Sequence, residues 1–142
     1  MRLRRKLGRF LHMTARQRAL LIEAVLLLAV ARLAIVALPF RRIAPWLQRA
    51  PQSSGCDAAT VQAVRQAVTA AARNVPWDAV CLPQAMAAKA MLARRGQASA
   101  LHLGAGKADG GGLMAHAWLI AGGEIVVGEA GIAGVTPLAR FG

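Results

Sequence analysis

The spacing of apolar residues changes partway along the chain. Up to Gly96 they recur at helical spacing, and from Ala98 onward they alternate. Thr14 is a good N-cap, and Gln17 at the third helical position completes the pattern of a capping box. The apolar run that follows must end near Pro39, because the residue before a proline avoids helical backbone. A second helix is expected after Asp57, with Val61, Val64, Val68, Ala71 and Val75 on one side. The third lies in PWDAVCLPQAMAAKAMLARRG, residues 76–96. There a Pro76-Trp77-Asp78 turn leads to Cys81 and a helix-forming run that stops at Gly96. Pro83 falls in the first turn, where a proline is tolerated. Arg94 and Arg95 suit the negative helix end, and Gly96 can take the left-handed cap.

Alternation then predicts strands over 98–104, 114–120 and 124–129, with a flexible loop, GAGKADGGGL, between the first two. Gly122-Gly123 reads as a two-residue hairpin turn. The tail GIAGVTPLARFG reads as irregular, ending in one short packed segment. Helices first and an antiparallel sheet afterwards make the class α+β. The Pro-interrupted, basic stretch from Phe40 to Ser54 reads as a connection. It divides the chain into an N-terminal helical segment, 1–50, and a core, 51–142.

Composition sharpens this picture at two points. With 142 residues, 56% of them hydrophobic, the chain can build one real core. The net charge of +12 is unevenly spread. Residues 1–50 hold eleven Lys/Arg against Glu23, or +10, while 51–142 hold seven against five acids, or +2. No zinc-finger spacing, RNA-binding motif or aromatic series accompanies that charge, so no nucleic-acid partner is expected. Anionic lipid or an acidic peptide fits better. Residues 19–38 are long enough to cross a membrane. However, Glu23 and Arg32 each cost up to about 3 kcal/mol there, nearly cancelling the apolar gain. A helix packed on the domain or a partner is the preferred reading, and peripheral membrane contact is the second. Two cysteines without disulfide or zinc spacing indicate a reducing, cytoplasmic compartment.

The chemistry centres on Cys81, at or just before a helix N-terminus, where free N–H groups and the dipole favour a thiolate. A nucleophile needs a base, and an imidazole base is normally oriented by an acceptor. His12 lies among basic residues. His102 and His116 lie in strands. If Gly122-Gly123 form the turn, Ala121 faces Glu124, Leu119 faces Val126 and His116 faces Glu129. Opposed Cβ atoms are about 5 Å apart, close enough for a carboxylate to reach an imidazole N–H. The expected constellation is therefore Cys81 as nucleophile, His116 as base and then acid, and Glu129 as orienter, with Glu124 at the turn as fallback. Cys56 reads as structural. No cofactor is implied, and Cys81, His116 and Glu129 lack the spacing of metal ligands.

CLPQAMAAKAMLARRG, LHLG, the glycine-rich gap, AHAWLIAGGEIVVGE and TPLARFG together resemble the lasso-peptide leader peptidases, over roughly residues 14–142. The resemblance implies a transglutaminase-like (papain-like) cysteine-peptidase core, with the catalytic helix packed on a small antiparallel sheet. It implies that Cys81 and His116 fill the first two places of a Cys-His-Asp order. No Asp follows His116, so Glu129 stands in for the acid. The implied substrate is a lasso precursor peptide. An ATP-dependent macrolactam cyclase would act next, and a separate leader-binding protein would serve a chain with no room for a fused one. The expected location is the cytoplasm, with the inner face of the membrane as the alternative within it. The rival readings are a transamidase of the same fold and a non-catalytic, membrane-associated binding protein with a degenerate site.

Overall fold

The computed structural model describes residues 1–48, 56–76, 81–107, 110–129 and 134–142. The strongest local signals become helix ends. Helix α2, Ala15–Ala37, opens on a complete capping box, with Gln17 N–H donating to Thr14 Oγ1 at 3.2 Å and Thr14 N–H donating to Gln17 Oε1 at 3.1 Å. Helix α4, Ala58–Asn74, starts where Asp57 accepts from the Thr60 N–H at 3.1 Å. Helix α5, Cys81–Arg94, closes in a Schellman motif. Gly96 has a φ of 69°, its N–H donates to Ala93 O, and the Gln97 N–H donates to Leu92 O.

These three helices pack on one another, and α4 and α5 also on the sheet, around a single core. α2 contributes Leu20, Ala24, Leu28 and Ala31 from one face, and α4 contributes Val61, Val64, Val68 and Ala71. Glu23, which would be costly in a membrane, is neutralised on α2 by the end of α5. Glu23, 15% exposed, accepts from Arg95 at 2.6 and 3.0 Å and from Arg94 at 2.8 Å. The hydrogen bond from Arg95 holds the Glu23 carboxyl below its ordinary range, and Glu23 in turn raises Arg95. The basic pair therefore clamps α2 as well as ending α5.

The N-terminal segment, expected to be helical, holds two helices besides the one read from Thr14. α1, Arg2–His12, precedes the capping box and buries no residue. α3, Phe40–Gln48, occupies the stretch read as a connection, whose remainder up to Ser54 lies outside the described residues. Ile43 and Leu47, one turn apart, bury α3 against the body, and Phe40 meets Phe141 edge-on at 5.7 Å. Pro45 misled because an interior proline removes a ladder bond. Here Pro45 and Arg41 are both exposed, so water can serve the Arg41 carbonyl.

The sheet runs β3-β2-β1-β4, with all neighbours antiparallel. Strands β1, Ala100–Lys107, and β2, Leu113–Ala121, take up much of the expected loop, of which 108–109 lie outside the described residues. β3 is Glu124–Val127. The tail read as irregular is β4, Thr136–Phe141, an edge strand in which Pro137 is tolerated. Leu101, Ala117, Leu119 and Ala121 join the helical core, and strand alternation puts His102, His116 and Trp118 on the other face. The architecture is the expected α+β, with a cysteine-led helix packed on a small antiparallel sheet.

Candidate active site

Cys81 is the first residue of α5, so its backbone belongs to the turn whose N–H groups lack helical acceptors. Its side chain is partly buried and packs against the core, and the thiol is free. The preceding Trp77-Asp78 turn lies outside the described residues. The body of α5 is well anchored: Ala85, Ala88, Met91 and Leu92 are fully buried, and Lys89, 5% exposed, donates from Nζ to Ser99 O at 2.7 Å. Burial, and then the positive charge of Arg140, lower the pKa of that amine.

His116 sits in β2, opposite Gly104 of β1. On its other side the hairpin departs from the expected register. The turn itself forms as predicted, since Gly122 and Gly123 both have positive φ (60° and 79°) and Ala121 faces Glu124. Then Ile120 pairs with Ile125 while Leu119 pairs with Val127, so Val126 is an extra residue, a β-bulge. The shift by one residue removes the expected pairing of His116 with Glu129. What meets the imidazole is the carbonyl of Gly128, 2.7 Å from Nε2. A carbonyl only accepts, so the neutral ring carries its proton on Nε2 and leaves the Nδ1 lone pair free to act as a base.

Glu129 faces elsewhere. Its carboxylate pairs with Arg65 of α4 at 3.4 Å, with 71% of the side chain exposed. Glu124, the fallback, is exposed beside the turn.

A feature that sequence reasoning missed surrounds His116. Trp118 lies between two imidazoles, nearly parallel to His102 at 5.5 Å and stacked on His116 at 6.1 Å. Glycines make room for it. A Cβ at Gly104 would stand 3.0 Å from the indole, and one at Gly128 would lie 2.8 Å from the Trp118 Cα. Burial, and then Arg140, its partner on β4, hold His102 below the ordinary 6.5. The readable signal was the His102–Trp118 pairing, which needs the β1–β2 register in advance.

The structure thus joins His116 to Gly128 and to Trp118, and Glu129 to Arg65. Cys81 and His116 stand on elements packed against each other, α5 and β2, and among the described residues no hydrogen bond links them. Among the same residues, no three His, Cys, Asp or Glu side chains gather as metal ligands would. The arrangement offers a thiol at a helix start and an imidazole with one ring nitrogen anchored and the other available.

Comparison with known families bears on this pairing. The family described as the transglutaminase-like superfamily matches residues 24–140, a span holding α5, β2 and every element between them. The chain belongs to the transglutaminase-like superfamily, whose members are in general cysteine-dependent enzymes. No curated protein and no solved structure matches the chain.

Proposed function

We propose that the protein is a cysteine peptidase that removes the leader from a ribosomally made lasso-peptide precursor. The observation that carries this reading is the superfamily match over 24–140, with Cys81 as the first residue of α5. The Cys81 thiolate attacks the scissile carbonyl and forms a thioester. His116, having taken the thiol proton, returns it to the leaving amine. Water then attacks the thioester and releases the acid and the thiol. Cys81 packs with the helical core whereas alternation turns His116 to the other face of the sheet, so this reading requires the two to be brought together by a rearrangement on substrate binding. The Gly128 carbonyl supports His116 as the base by leaving Nδ1 free. A Glu129 carboxylate in the orienting role would first have to leave Arg65. The partners in this reading are the precursor, a separate leader-binding protein and an ATP-dependent macrolactam cyclase that takes the freed N-terminus.

The test is the mass of the precursor over time with enzyme and leader-binding protein present. Wild type should release the leader, while Cys81→Ala and His116→Ala should release none. A product heavier by an added amine would assign a transamidase instead. No change by folded wild type would favour a non-catalytic binding protein. The commitment of Glu129 to Arg65 is the observation on the side of that second reading.

A further inference from the structure

The N-terminal helices leave an uncovered apolar surface. From Ala19 on, α2 is aliphatic apart from Glu23 and Arg32, but its buried residues, Leu20, Ala24, Leu28 and Ala31, all lie on one side. About 180° away run Ile22, Leu26, Val30, Leu33 and Val36, which are 51–76% exposed. The five span about 21 Å along the helix with no charged residue in line between them. α1 repeats the arrangement on a smaller scale. Leu3, Leu7 and Leu11, each at least 60% exposed, form one line, and Arg2, Arg4, Arg5, Lys6 and Arg9 occupy the rest of its circumference. With eleven residues and none buried, α1 is too short to be stable alone in water and needs a surface to lie on.

Charge identifies that surface. Seven Lys/Arg precede the first acidic residue, Glu23, and Glu23 faces α5, held by Arg94 and Arg95. A second copy of the chain would bring the same cationic segment to the contact and be repelled. An anionic lipid leaflet supplies both things the surface lacks: hydrocarbon for the aliphatic lines and negative headgroups for the basic flanks. Trp46 of α3, 72% exposed, adds a side chain suited to the headgroup level. α2 is long and apolar enough to span a bilayer, its most apolar 18 residues having a mean hydropathy of 2.5. However, its other face is core and its Glu23 is clamped, so spanning would take it out of the domain.

We infer that α1 and the outer face of α2 form an interfacial anchor that lays the domain on an anionic membrane surface without crossing it. The inference is independent of the peptidase reading.

The test is co-sedimentation of the full chain with phosphatidylcholine vesicles, with and without phosphatidylglycerol. Wild type should bind the anionic vesicles and be released by salt as the Debye length shrinks. Leu26→Gln with Leu33→Gln, and separately Arg4→Glu with Arg5→Glu, should each lower the partition coefficient about tenfold or more. Each pair changes exposed residues only, and a wild-type melting curve certifies its fold. Folded wild type remaining in the supernatant with anionic vesicles would overturn the inference. So would equal vesicle binding by both variants. A concentration-dependent dimer abolished by the α2 variant, with no vesicle binding, would overturn it in favour of a second copy as the occupant.

Discussion

Replacing Gly128 with alanine separates the two candidates for orienting His116. Gly128 has a φ of 87°, which costs a side chain about 1–3 kcal/mol. The added Cβ would also meet the Ala117 carbonyl oxygen and fall 2.8 and 2.9 Å from Trp118 Cα and Cβ. Residues 117 and 118 sit in β2 and are paired to β1, so they cannot yield, and the segment carrying Gly128 must withdraw. A withdrawal of only about 1 Å takes the 2.7 Å contact with Nε2 beyond hydrogen-bonding range. The expected loss of stability is about 3 kcal/mol, or a fall of about 10 °C in Tm. Leader release should slow about 100-fold in kcat, the scale of a misplaced catalytic group. Glu129→Gln removes only an exposed pair with Arg65 and should leave kcat within about twofold and stability within about 0.5 kcal/mol. Nitrogen-15 shifts of the wild-type imidazole, which should report the Nε2–H tautomer, check the same contact without activity or a variant. A folded Gly128→Ala enzyme with wild-type kcat, or a large loss in Glu129→Gln, would refute the assignment to the Gly128 carbonyl.

Glu23→Gln should destabilise the domain by about 2 kcal/mol in urea titrations, because it leaves Arg95 partly buried without its partner. The folded Glu23 lies below its ordinary 4.5, so its contribution is complete above that pH and is lost as pH falls through the lower folded value. Acid unfolding should accordingly be shallower in the variant. Arg140→Met should move the His102 titration, followed by proton NMR, part of the way back towards 6.5. The folded protein holds His102 neutral where the unfolded chain would bind a proton, so stability falls as pH drops through that window, and Arg140→Met should narrow the loss. Leu28→Ala, at a fully buried site shared by α2 and the core, should cost about 3 kcal/mol by thermal or urea melts. A near-zero value would mean that α2 does not pack in the domain as described.

What the sequence reveals and what it hides divide by range. Thr14, Asp57 and Gly96 act on backbone groups within a few residues of themselves, and all three helix ends form where those residues stand. The Gly122-Gly123 turn is equally local and forms as read. The partners of Glu23 are 71 and 72 residues away on another helix, and no spacing rule within α2 could find them. α3 hides behind Pro45, because whether an interior proline is tolerated depends on which side of the helix is buried. The hairpin shows most plainly how a tertiary detail changes a chemical conclusion. One extra residue, Val126, shifts β3 by a step, and the acid that simple pairing puts opposite His116 is held instead by α4. The mark of that bulge was Gly128, the residue that must approach the β2 backbone closely and turn with positive φ. A glycine chosen for close approach also presents a carbonyl that no side chain obstructs, and a carbonyl can fix the imidazole tautomer as a carboxylate would. It carries no full negative charge, so it stabilises an imidazolium less. A chain that uses it should therefore depend more on Cys81's helix terminus to hold the thiolate–imidazolium pair.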